Sequence, residues 1–278
     1  MVVWLFSLLV FIFSYLAGVV GALTGLGGGV IIIPVLVLLF KVDIHYAMGA
    51  SLISIIATSS GSSIAYLKQG YMNLKIGIFL ECGAVLGAII GAFLVAFVPT
   101  SIIAIVLGVV LIFSAIFSIK KKESVHEGIR SHSWAISLQM AGDYPTKEGL
   151  KPYPVQHVPL GLSLLAIAGL MSGLLGIGAG ALKVLAMDKA MGLPYKVSTT
   201  TSNFIIGITA TASSGIYLAR GYIEPTIAFP VLLGVVLGGF SGAKIFTKLQ
   251  SKTLRLIFAA VILIVAAELI YKGSVGGL

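Results

Sequence analysis

Two glycine-rich tracts are the residues of this chain best suited to binding a small ligand. Gly25-Leu26-Gly27-Gly28-Gly29 and Gly176-Ile177-Gly178-Ala179-Gly180 each interrupt an apolar run, and each opens a short helical arm, at about Val30 and about Ala181. A helix N-terminus presents N–H groups without intrahelical partners and the positive end of a dipole, which together attract an anion. Glycine keeps side chains away, so an oxyanion can touch the backbone. The competing reading is close helix crossing of the GxxxG kind. The tracts favour the anion because they break a helix instead of lining one face of it.

Around the tracts stand a few polar side chains. Lys183 follows Gly180 by three residues. A charge so deep in an apolar run marks function, unless the side chain snorkels to an interface as its neighbours Lys189 and Lys196 are expected to do. Ser51, Thr58 and Ser62 share a helical face, and Ser202, Thr209 and Ser213 repeat it. Such hydroxyls replace an anion's hydration without formal charge, or simply bond helix to helix. Ser51, Ser202 and Asn203, at the ends nearest the tracts, are the stronger candidates. Glu81 has no acidic counterpart, since Leu232 takes the matching place. It is a candidate proton carrier, or else a silent partner of Lys183 or a hydroxyl. The adjacent Cys82 reads as an inert core thiol. The substrate-binding set is therefore Gly25, Gly27, Gly28, Gly29, Ser51, Gly176, Gly178, Gly180, Lys183, Ser202 and Asn203, with Glu81 as the proton-coupling candidate.

Catalysis finds no such support. The histidines stand at 45, 126, 132 and 157, away from the expected bundle centre, and neither H-E-x-x-H nor G-x-S-x-G occurs. No G-x-x-x-x-G-K-[ST] sequence is present, and one cysteine allows neither an internal disulfide nor an ordinary Cys-based zinc site. No catalytic residue, metal or cofactor is expected.

The elements that position these residues follow from composition. Of 278 residues, 58% are hydrophobic and only 10% charged, and mean hydropathy is +1.11. A soluble domain carries about 25% charged residues, so this surface meets lipid. The net charge of +9 comes without an arginine-rich or aromatic-basic module, which excludes nucleic acid and points to membrane orientation. The chain also matches itself at an offset of 151 residues, which carries Gly27 onto Gly178, Ser62-Ser63 onto Ser213-Ser214 and Gly70-Tyr71 onto Gly221-Tyr222. Gly83, Gly87 and Gly91 meet Gly234, Gly238 and Gly242 in the same way, as packing ladders.

Each half holds four apolar segments: 3–40, 44–68, 72–97 and 101–119, then 158–191, 195–219, 223–247 and 252–271. The division is a first repeat over 1–119, an aqueous loop over 120–157 with room for a short hairpin, and a second repeat over 158–278. The first segment of each half cannot be one helix. Residues 3–40 would span about 57 Å against a bilayer core of about 30 Å, and the arm from Ala181 to Met191 spans only about 16 Å. Each is therefore expected to be a re-entrant hairpin with its glycine tip near the midplane. Of the 18 Lys and Arg residues, that topology leaves three (Lys41, Arg220, Lys272) on one side and the other fifteen on the opposite side, a strong orientation bias. It predicts a cytoplasmic 120–157 loop and both termini outside. The fold class is an all-α polytopic membrane protein of two inverted-topology repeats, each a Gly-broken re-entrant hairpin plus three transmembrane helices.

The two tracts, with Lys183-Val184 after the second, the run Lys196-Val197-Ser198-Thr199-Thr200-Thr201-Ser202-Asn203-Phe204-Ile205-Ile206-Gly207, and Tyr217, Arg220, Gly221 and Tyr222, resemble the signature of the TauE/SafE family of membrane permeases. The likeness spans the chain except the 120–157 loop. It departs at Ala179, where the family has glycine, and at Gly49-Ala50-Ser51, in place of Gly-Thr-Ser. It implies transport of sulfite, thiosulfate, a sulfonate or a related organic anion. The expectation is a secondary permease of the plasma membrane, a small anion as substrate, a proton as candidate coupling ion and a homodimer as a compatible assembly. An anion channel and an intramembrane enzyme are the alternatives.

Overall fold

The computed structural model describes residues 3–24, 27–119, 131–146 and 148–246, with scattered positions between 253 and 274 that are helical. Gly25 and Leu26 lie outside the described residues, as do nine of the basic residues used for orientation (Lys120, Lys121, Lys122, Arg130, Lys147, Lys248, Lys252, Arg255 and Lys272).

The first apolar segment is α1 (Val3–Thr24), then α2 (Gly29–Pro34), which continues as a wider π-helical turn, Val35–Leu39. The second half repeats this with α7 (Val158–Leu175), α8 (Gly180–Leu185) and the turn Ala186–Ala190. Both arms come back to where their long helix began. Phe40 packs edge-on against Phe6 and Phe13 of α1, at ring distances of 5.2 and 6.2 Å. The Met191 carbonyl accepts from the Gln156 amide at 3.0 Å, and a Cβ on Gly161 would strike the Met191 side chain. These contacts describe helical hairpins folded at the glycines.

Five described helices are long and apolar enough to cross a membrane: α1, α3 (Ile44–Lys68), α4 (Leu74–Leu94), α7 and α10 (Pro225–Phe246). The protein is a mostly helical, multi-pass membrane protein. α5 (Thr100–Ile119) carries a shorter apolar stretch, Thr100–Phe113. α9 (Tyr195–Ala219) is a 25-residue helix at the expected place, but it is not among those five. Its hydroxyls and Asn203 lower its hydropathy, and the bundle buries most of them, from Ser198 to Asn203 and at Thr209 and Ser213.

α3 and α9 form the centre. Thr200 and Thr201, near the start of α9, bond the Tyr71 carbonyl and the Asn73 amide just past the end of α3, at 3.0 and 3.1 Å. At the other end Gly49 of α3 lies against the Tyr222 carbonyl beyond α9. The two helices are therefore antiparallel. On their flanks α1 packs on α10 and α7 on α4. Gly87 and Gly91 lie against the carbonyls of Ala166 and Leu170, and Gly238 and Gly242 lie against those of Tyr15 and Val19. The 151-residue offset maps one pair of contacts onto the other. These contacts leave no room for a methyl group, so the glycine ladders pack helices backbone to backbone. Cys82, expected in the core, is instead on the exposed face of α4.

Within the loop stand α6 (Ser133–Ser137) and an antiparallel hairpin of β1 (Gly142–Thr146) and β2 (Gly149–Tyr153), paired from Gly142↔Tyr153 to Thr146↔Gly149. Asn73 ties it down. Its Nδ2 donates to the Met140 carbonyl and to the Tyr153 hydroxyl, both at 2.8 Å, while its Oδ1 accepts from Ile76 at the start of α4. Burial pushes the Tyr153 phenol above its ordinary pKa, with Asp143 adding to the shift against the Asn73 bond.

Candidate functional site

The two glycine breaks meet at the α3–α9 crossing. Gly27 and Gly178 both have left-handed backbone, at φ +74° and +69°. A Cβ on Gly27 would run into the Ile206 side chain and stand 3.3 Å from Ile55 Cγ2. One on Gly178 would stand 3.1 Å from Ile55 Cδ1 and 3.6 Å from Ile206 Cβ. Ile55 and Ile206 are the same residue one repeat offset apart, and both are fully buried. Both tips are thus capped by apolar side chains instead of facing an open polar space. The signal for this pair was in the sequence, one turn beyond Ser51 and Ser202, but aliphatic residues in an apolar chain do not stand out.

The other tip glycines have separate jobs. Gly28 folds back on the Ala17 carbonyl of α1, and Gly29 lies against Ser51 and Ile55. Ser51 Oγ donates to the Gly176 carbonyl at 2.6 Å and Ser202 Oγ to the Gly180 carbonyl at 3.2 Å, so both serines clamp the second tip. Asn203 goes to the first instead, donating from Nδ2 to the Ala22 carbonyl at 3.0 Å. Most of the hydroxyl stripe bonds its own helix: Thr58 to the Ser54 carbonyl, Ser62 to that of Thr58 and Ser213 to that of Thr209. Those donors are already engaged within their own helix, which is neither the helix-to-helix bonding nor the anion contact expected of them.

Lys183 does not snorkel. Its side chain is 0% exposed, and Nζ lies 3.0 Å from Glu81 Oε2, whose side chain is 4% exposed. Thr209 touches both members, donating to Glu81 Oε1 and accepting from Lys183 Nζ. Helices α8, α4 and α9 therefore join through one neutralised charge cluster, one turn along α9 from Ile206. Ile32, Leu232 and Thr58 occupy the places one offset away, so the ion pair belongs to one side of the repeat only. Such a pair is costly to bury, because both charges leave water, and it holds only while the two groups stay together. Among the described residues no group of three or more His, Cys, Asp or Glu is placed to hold a metal ion.

Comparison with known proteins decides the family. The model of the Sulfite exporter TauE/SafE family matches residues 10–269. This chain belongs to the TauE/SafE family. Among curated TauE/SafE-like relatives, the probable membrane transporter protein YunE of Bacillus subtilis (strain 168) is 30% identical over 270 residues, covering 94% of this chain and 96% of that protein. The probable membrane transporter protein YdhB of the same organism is 26% identical over 253 residues, covering 88% and 92%. A probable membrane transporter protein of Methanocaldococcus jannaschii is 27% identical over 270 residues, covering 91% of each chain. No solved structure matches. As a TauE/SafE protein the chain is a membrane transporter and not an enzyme.

Proposed function

We propose that this transporter is a secondary permease of the plasma membrane for a small sulfur-containing anion such as sulfite, thiosulfate or a sulfonate, bound between the two glycine tips. The observation that carries the reading is the convergence of Gly27 and Gly178 on Ile55 and Ile206 at the antiparallel α3–α9 crossing. Two broken helices ending at one central point create an anion site only where their N-termini face it, and the arms starting at Gly29 and Gly180 supply those termini. The sulfur-containing class rests on the family.

In the arrangement described here the isoleucines fill the crossing, so an anion enters when they withdraw. Gly27, Gly28, Gly29, Gly176, Gly178 and Gly180 would line its approach, with Ser51, Ser202 and Asn203 beside it; Gly25 belongs to the same tract. Lys183 is the cation within reach, and Glu81 already holds it. Protonating Glu81 frees the lysine charge for the anion, so proton and anion would bind together. Inverted-topology repeats, with both termini outside and the 120–157 loop in the cytoplasm, would exchange access by rocking around this point. The opposed directions of α3 and α9 and the repeat-related pairs α1–α10 and α7–α4 support that scheme.

Proteoliposomes test it. Labelled sulfite, thiosulfate and a sulfonate should show saturable flux with at least one of them, quickened when the compartment supplying the anion is the more acidic. Flux no greater than in empty liposomes would refute the permease, and flux that never saturates would make the protein a channel.

A further inference from the structure

The repeat supplies an internal comparison for a second polar site. At the end of α1 the Ala22 carbonyl accepts from the Tyr66 hydroxyl at 2.7 Å and from Asn203 Nδ2 at 3.0 Å. One offset away, at the end of α7, the Gly173 carbonyl accepts from the Tyr217 hydroxyl at 2.9 Å. There the residue matching Asn203 is Leu52 and the residue matching Thr199 is Met48, both fully buried. A tyrosine with two apolar neighbours is therefore enough to close such a helix end. The fold does not require an amide and a hydroxyl at the other one.

Asn203 and Thr199 are nevertheless 0% exposed, and neither Asn203 Oδ1 nor Thr199 Oγ1 has a hydrogen-bond partner. They stand one turn apart on one face of α9, where side chains at i and i+4 are neighbours. The bond from Nδ2 to Ala22 fixes the amide, so Oδ1 is the atom left over. Leaving a buried polar atom unsatisfied is destabilising, and two such atoms one turn apart on one helix face suit a common ligand. The available groups are neutral oxygens at the C-terminal, electronegative end of a 22-residue helix. Oxygen donors of this kind at a broken helix suit a hard cation. With no carboxylate of its own, the cluster suits a single positive charge, and Glu81 is already committed to Lys183.

We propose that Asn203 Oδ1 and Thr199 Oγ1, with the carbonyl end of α1, form a binding site for a sodium ion. The site rests on these side chains alone. Only its use as a second coupling ion, independent of Glu81, rests on the permease reading. Sodium would hold α9 against the end of α1, beside the first tip, and so bias which arrangement of the hairpins is populated.

The test is equilibrium binding of 22Na+ to the purified full chain in detergent, with choline keeping ionic strength constant and no anionic substrate added. The expected result is saturable binding of about one ion per chain. Thr199→Val, which keeps shape but loses the oxygen, and Asn203→Leu should each weaken binding by about ten- to a hundredfold. Thr199→Ser should retain it. Absence of saturable binding to the unaltered chain would overturn the site and leave a water molecule as the occupant. Equal affinity in the folded Thr199→Val protein would overturn it too. Because no anion takes part, failure here leaves the permease standing, and failed anion flux leaves the sodium site standing.

Discussion

Replacing Lys183 alone should damage the protein more than replacing Lys183 and Glu81 together. The ammonium and carboxylate are 3.0 Å apart with side chains 0% and 4% exposed, so Lys183→Met strands a carboxylate where water cannot solvate it. Breaking a buried pair from one side costs about 3–5 kcal/mol, whereas neutralising both sides is often close to neutral. Adding Glu81→Gln to Lys183→Met should therefore restore about 2–4 kcal/mol, because glutamine is uncharged and still hydrogen-bonds Thr209. The assay is a double-mutant cycle of detergent-solubilised protein, read by reversible unfolding at neutral pH. Single variants that each lose less than about 1 kcal/mol and simply add, as at an exposed pair, would refute the buried cluster. The double variant is also the proper test of the lysine in transport. Weaker anion affinity in a folded double variant assigns Lys183 to the substrate, and unchanged affinity leaves it as the counter-charge of Glu81.

Gly27→Leu and Gly178→Leu should each abolish anion flux while much of the protein still folds, since a side chain there enters the space of Ile206 or Ile55 on a left-handed backbone; full flux by the protein carrying both would show that the tips only pack helices. Ile55→Ala and Ile206→Ala each remove aliphatic bulk from the crossing, at about 2–5 kcal/mol of stability. They should also raise anion leak in the absence of a driving gradient, and a leak no greater than in the unaltered protein would remove the isoleucines from the gate. For orientation, Leu150→Cys in a Cys82→Ser background places one thiol on the exposed β-hairpin. An impermeant maleimide should label it only after the cells are opened, and labelling of intact cells would reverse the assigned topology.

Much of this protein could be read from residue types and spacing. Hydropathy and the scarcity of charge make it a membrane protein, because a surface with so few charges cannot face water. The 151-residue offset and the short arm after Gly180 require a broken, returning helix, because 11 residues cannot cross a bilayer. The residues that resemble the TauE/SafE signature lie in the same tracts, where the left-handed backbone at Gly27, Gly28, Gly176 and Gly178 calls for glycine. Periodicity could not tell which hydroxyls serve their own helix and which reach across. Ser51 and Ser202 clamp the second tip while Thr58, Ser62 and Ser213 bond back to their own helix, and only nearness to the glycine tracts set the first two apart in the sequence. Lys183 is one of the partners that the sequence offers Glu81, but spacing could not choose it across 102 positions, nor could it put Ile55 against Gly178. Those contacts depend on how antiparallel α3 and α9 cross and on which half each flanking helix chooses. That choice is made by backbone-to-backbone fit at the glycine ladders, which exists only once the helices have packed.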